Sequence, residues 1–214
     1  LNITGDNKGS ISFTAGQNIK INADAKRGDA VTISGSASSG NVIFTATQGN
    51  IEISGGNNGI DNNGSQSITL TAGGANIITG GVAKELISGK GNQGDGIRVQ
   101  NSGSVAVSGS YNQISGLDEG LYIHSSAASK EGIKVTANGT DGNGFGNIIS
   151  GDDNGIESAG LAGIEVSAIS GNNRIYGGNS AILNSGSGTI MITAGERPDE
   201  SGISLLANQV GVDN

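Results

Sequence analysis

Short runs in which apolar and polar residues alternate recur along the whole chain. One five-residue unit appears as "ISFTA" at 11–15, "VIFTA" at 42–46, "ITLTA" at 68–72, "VAVSG" at 105–109, "IKVTA" at 133–137, "IEVSA" at 164–168 and "IMITA" at 190–194. Within each run the period is two, the signature of a strand with one buried face. Phe13, Phe44, Leu70, Val107, Val135, Val166 and Ile192 therefore share one side of their strands. The small residue that closes each unit suits a tight corner.

Successive units start 31, 26, 37, 28, 31 and 26 residues apart, and similar runs lie between them: "IKINA" at 19–23, "VTISG" at 31–35 and "IEISG" at 51–55. Ile53, Ile114, Ile149 and Ile175 are each followed seven residues later by Ile60, Leu121, Ile156 and Ile182. From Ile60, Ile97, Ile156 and Ile182 the next strand begins eight residues on, at Ile68, Val105, Ile164 and Ile190. Such intervals describe a coil with three faces, wound repeatedly. The fold class they predict is all-β: a parallel β-helix, or solenoid, of three short strands per coil and about seven to eight coils. Seven coils stacked at ~4.8 Å would span ~34 Å. Like residues then fall on like, as in other stacked-strand assemblies.

Three stretches break the winding: 80–95, which contains the helix-like "VAKEL", 124–131 ("HSSAASKE") and 138–147 ("NGTDGNGFGN"). Residues 195–214 hold the only proline and read as a last coil plus cap, or an extension. No domain boundary is visible inside 1–214, so a single β-helical domain is expected. Leu1 is neither an initiator methionine nor the start of a signal peptide, and the chain reads as a mature product or part of something longer.

Composition fits this architecture and narrows function. Among 214 residues there are 40 Gly, 3 Phe, 3 Tyr, no Trp and no Cys. Collagen would need a Gly-X-Y period and abundant proline, and simple disorder would lack the recurring apolar runs. The formal net charge is −8, with 11 basic residues scattered rather than clustered, so no nucleic-acid partner is expected. No apolar run reaches membrane-spanning length, so no membrane insertion is expected.

The "I-x-[FLVI]-[ST]-[AG]" strands, the "ISGxxNGI" turns and the cysteine-free, Gly/Asn/Ser/Thr-rich composition, over nearly the whole chain, resemble the repeat region of large bacterial surface adhesins. These are the filamentous-haemagglutinin-like exoproteins and autotransporter passengers. The resemblance implies a right-handed β-helix, exposed on the bacterial surface or released from it. It is specific for architecture rather than for one family, and the family's N-terminal secretion domain is not evident here.

Candidate chemistry concentrates in turns. "ISGDDNGIE" at 149–157 places Asp152 and Asp153 side by side, as a cation site or a catalytic pair would. Yet it aligns without gaps with "ISGGNNGID" at 53–61, where Gly56 and Asn57 replace both carboxylates. What the copies share is turn geometry, so a structural corner is the preferred reading. Asp118/Glu119 and Asp152/Asp153 are expected on neighbouring corners, where they would form an acidic patch. "DGNGFG" at 141–146 puts Asp141, Asn143, Gly146 and Asp152 at calcium-loop spacing, but Phe145 stands where an oxygen ligand belongs. The single histidine, His124, has no imidazole partner for a multi-histidine metal site and is expected in solvent. Three N-x-[ST] sequons, at Asn2, Asn63 and Asn138, are expected by chance in this composition. A regular T-x-T array, which an ice-binding face would show, is missing.

No catalytic, cofactor-binding or metal-binding residue is therefore assigned. The expectation is an extracellular, non-enzymatic shaft of a bacterial adhesin or surface filament. Its partners would be a glycan or protein met through the insertion loops, and further copies met end to end. The alternative is a β-helix that binds or degrades polysaccharide. That chemistry needs paired carboxylates and usually aromatic platforms, for which Tyr111, Tyr122 and Tyr176 are the only tyrosines.

Overall fold

The computed structural model describes residues 1–4, 9–23, 28–34, 40–64, 67–81, 94–101, 103–124, 132–195, 203–207 and 210–213. They form a parallel β-helix of three sheets, with eight, seven and seven strands. The first sheet stacks Asn2–Thr4, Val31–Ser34, Ile60–Asn62, Ile97–Gln100, Glu119–His124, Asn154–Ser158, Ser180–Asn184 and Val210–Asp213. The second stacks Ile11–Ala15, Asn41–Ala46, Ser67–Ala72, Ser104–Gly109, Ile133–Ala137, Ile164–Ala168 and Ile190–Thr193. The third stacks Ile19–Asn22, Ile51–Ser54, Asn76–Thr79, Asn112–Gly116, Phe145–Gly151, Asn172–Gly177 and Ile203–Ala207. All seven copies of the five-residue unit lie in the second sheet, so the expected seven coils and one further strand are present.

Register follows the apolar pattern. The inward column Phe13, Phe44, Leu70, Val107, Val135, Val166 and Ile192 runs unbroken through the second sheet. Val31, Ile60, Ile97, Leu121, Ile156 and Ile182 form its counterpart in the first. A slip of one residue would turn every one of these side chains outward, so burial fixes the register. Each fully buried aliphatic side chain contributes about 1.5–3 kcal/mol before ordering entropy is charged. Among the described residues only the end coils leave inward positions open: Phe13 stacks on the buried Phe44 with centroids 5.0 Å apart, yet is 36% exposed.

At the corner leading into the third sheet, Asn76, Asn112, Asn147 and Asn173 stack as a buried ladder. Each amide Nδ2 donates to the next Asn Oδ1, at 2.8, 2.8 and 2.7 Å. The second hydrogen of Asn76, Asn112 and Asn147 goes to the carbonyls of Ser108, Thr136 and Ser167, at 2.9 Å each. Asn76 Oδ1 ends the run without a partner because the preceding coil offers Ile51.

The loop at 138–147 is a compact excursion. Asp141 Oδ1 accepts the backbone N–H groups of Asn143 and Phe145, at 2.9 and 2.8 Å, which closes the turn around its own carboxylate. The Phe145 ring lies back on the coil beneath the Arg174 guanidinium, 5.8 Å from its centroid. Most of the 80–95 insertion, including "VAKEL", and nearly all of 124–131 fall outside the described residues. No helix among the described residues is long and apolar enough to cross a membrane.

Candidate functional site

Acidic side chains gather at the corner leading into the first sheet. There the residue before each Gly-Ile, Gly-Leu or Ala-Ile step stacks on its equivalent: Asn58, Asp95, Glu119, Asn154 and Ser180, all buried. A polar side chain is held at this depth because it serves the next coil's backbone. Asn58 Oδ1 accepts the Asp95 N–H at 2.8 Å, and Asp95 Oδ1 accepts the Glu119 N–H at 3.3 Å. One coil earlier Asp29 does the same for Asn58, at 3.0 Å.

Glycine sets how tight this corner is. A Cβ on Gly116 would collide with the Glu119 carbonyl, and one on Gly151 with the Asn154 carbonyl. The "ISG" of the turn motif is thus a steric requirement, which accounts for its recurrence when the residues that follow vary.

Asp95 and Glu119 are 1% and 6% exposed, and Asp118 is half-buried beside them. A carboxylate oxygen from each lies within 4.8 Å of the others. Burial, the bond to the Asp95 carboxylate, and the charges of Asp95, Asp118 and Glu157 all push the Glu119 carboxyl far above its ordinary range. Burial also raises Asp95, while its bond with Glu119 works the other way. Glu119 is therefore the partner that keeps the proton, and Asp95 the one that accepts the hydrogen bond. Glu157, on the outer face of the adjoining strand, is raised by burial and opposed by bonds with Glu119 and Asn154. Asn154 Nδ2 donates to Glu157 Oε2 at 3.0 Å and to Glu119 Oε1 at 3.4 Å.

Outside this corner the first sheet carries Asp61, Arg98, Tyr122 and Glu157 in one column. Arg98 sits 5.7 Å from the Tyr122 ring centroid and its charge lowers both Asp61 and Asp95. Burial, added to by Asp29, outweighs that charge at Asp61 and raises it from 3.8 to about 6. His124 lies exposed at the end of the same strand, its ring 6.4 Å from that of Tyr122. The arrangement can store a proton, and Asp95, Asp118 and Glu119 offer oxygens that a hard cation would accept as part of its shell.

Of the anticipated patch of Asp118/Glu119 and Asp152/Asp153, the structure brings Asp118, Glu119 and Asp153 near Glu157 across neighbouring coils. The Asp153 N–H bonds the Asp118 carbonyl at 3.0 Å, and Asn179 Nδ2 bonds Asp153 Oδ1. Asp152, however, is exposed, and it is Asn154 that occupies the buried corner. Sequence reasoning missed Asp95 and Glu157. The signal that finds them is the four-residue copy "NGID" at 58–61, "DGIR" at 95–98, "EGLY" at 119–122 and "NGIE" at 154–157. Its first residue is the buried corner and its last the outer column. Comparison with protein-family models, curated proteins and solved structures finds no match to this chain.

Proposed function

We propose that this chain is a non-catalytic, adhesive β-helical shaft of a bacterial surface protein, working outside the cell. The observation that carries the reading is the continuity of the inward columns. Every coil of the second sheet fills the same position with an aliphatic or aromatic side chain, so load along the axis is borne by repeated, equivalent contacts. Such an object spans distance and presents loops on a stiff support. Among the described residues Ile11–Ala15 and Ile190–Thr193 each pair along one edge, and axial association of copies through such edges is part of the proposal.

Antibody labelling of intact against permeabilised cells, combined with X-ray scattering of the purified chain, tests the reading. Surface labelling is expected, with a particle whose axial length is that of seven stacked coils, ~34 Å. Labelling that appears only after permeabilisation rejects the extracellular role.

A second reading, polysaccharide cleavage, draws on the clustered carboxyls of Asp95, Asp118 and Glu119. Against it stands the burial of Asp95 and Glu119, which keeps both from a substrate arriving through solvent. Release of reducing ends from a polysaccharide panel, lost in Glu119→Gln, would favour cleavage over the shaft.

A further inference from the structure

The outer face of the second sheet carries a regular rank of hydroxyls. Thr14, Thr45, Thr71, Ser108, Thr136, Ser167 and Thr193 stand in register, one per coil, over all seven coils. The T-x-T array is missing from the sequence because the neighbouring column varies and two rungs of this one are serine, while a hydroxyl stands at every rung. Among the described residues none of the seven side chains has a hydrogen-bond partner within the protein. Cross-strand hydroxyl pairing therefore does not explain the rank. Five of the seven are threonine, whose branched Cβ restricts χ1 and holds each hydroxyl in a narrow set of directions.

Beside the rank lies a groove of about 520 Å³. Its lining comes from four consecutive strands of the same sheet, including Ser104, Ala106, Lys134, Glu165, Thr189 and Met191, so it runs along the axis. Three coil steps give it a length of ~14 Å. Lys134 and Glu165, neighbours along it on consecutive strands, pair at 3.0 Å and offset each other's charge. Ala106 and Met191 add apolar surface at opposite ends, Met191 being 48% exposed.

From this juxtaposition we infer that the second sheet's outer face binds a neutral, extended polysaccharide laid parallel to the shaft axis. Three features select this ligand. The coil repeat is close to the rise of one sugar in an extended 1,4-linked chain, so successive hydroxyls meet successive residues. Among the described residues that line it, the internal ion pair leaves no net charge to attract a polyanion. Small apolar side chains accept the C–H faces of a sugar while the rank and the Lys134–Glu165 pair serve its hydroxyls. The inference rests on the adhesive reading above and names its partner and its face, which is a sheet rather than the insertion loops.

Calorimetry and amide chemical-shift mapping of the full 214-residue chain test it, with cellohexaose, mannohexaose and xylohexaose as extended probes and maltohexaose and glucose as controls. At least one extended hexaose is expected to bind and to shift residues 106–108, 134–136 and 165–167, while the controls do not. Ala106→Arg, which fills the groove, and Thr136→Lys, which interrupts the rank, are each expected to weaken binding at least tenfold with the melting temperature unchanged. No binding of any extended probe at about 10 mM overturns the inference. So does binding that both variants retain, or shifts confined to residues 138–147. Retardation of ice growth that Thr136→Lys abolishes, without oligosaccharide binding, would assign the rank to ordered water instead and also overturn it. Surface labelling and particle length are read separately, so this face can fail while the shaft stands.

Discussion

At the corner leading into the third sheet, Asn76, Asn112, Asn147 and Asn173 hand one amide hydrogen bond from coil to coil. At the corner leading into the first, Asp95 and Glu119 stand at similar depth on the same kind of backbone. An amide both donates and accepts, so a stack of amides satisfies itself at any pH. An ionised carboxylate only accepts, so two of them facing each other lack a donor until one takes up a proton. The first corner is therefore indifferent to pH and the second is not. Burial alone does not make a polar column stable or sensitive; the donor count does.

Turning one rung of the amide ladder into a carboxylate breaks the contrast most severely. Asn112→Asp removes the donor shared by Thr136 and Asn147 and buries a charge at neutral pH. A loss of about 3–5 kcal/mol is expected, as for an uncompensated buried charge. Urea unfolding at neutral and acidic pH should show much of that loss recovered in acid.

The converse change makes the acidic corner resemble the amide one. Asp95→Asn with Glu119→Gln supplies the missing donors, and about 1–2 kcal/mol of added stability is expected at pH 8. The sign follows from the raised carboxyls. Their folded forms hold protons that the unfolded chain releases at lower pH, so stability declines as pH climbs from the ordinary carboxylate range. For Asp61 the decline runs from about 3.8 to about 6, and for Glu119 it continues well above that. Denaturation midpoints of the natural chain should fall between pH 4.5 and pH 8, and those of the double variant should fall less. Equal slopes in the two proteins would place the pH response elsewhere.

The smallest expected effect sharpens the comparison within the acidic corner itself. Asn154 Nδ2 reaches Glu157 three residues on, whereas the equivalent Asn58 Nδ2 and Asp61 Oδ1 are both buried without partners. Aspartate is one methylene shorter than glutamate. Asp61→Glu is expected to close that bond and add about 0.5–1.5 kcal/mol, read from thermal unfolding. A neutral or destabilising result would show that side-chain length does not separate the two coils.

Much of this was legible in the chain. The alternating units marked the strands, their spacing marked three faces, and alignment of "ISGDDNGIE" with "ISGGNNGID" marked one copy of a repeated turn. Asp153 does lie in that turn, bonded to Asn179. Asp95 escaped notice because its local sequence, "GDGIR", carries no second acid. Its partners, Asp118 and Glu119, are more than twenty residues away and come near only when one coil lies on the next. The hydroxyl rank was hidden in the same way, since Thr45 and Thr71 become neighbours through strand pairing and not through sequence spacing.

The period of the coil, the inward columns and the glycine-marked turns were already written in the chain, because alternation and turn chemistry are local properties. The tertiary structure decided which side chains became vertical neighbours. In a stacked helix that choice depends on coil lengths, which vary with each insertion, and on the register that burial enforces. It brought Glu119 to Asp95, where burial and the facing Asp95 carboxyl raise its affinity for a proton. It also placed a separate hydroxyl from every coil of the second sheet on a single line.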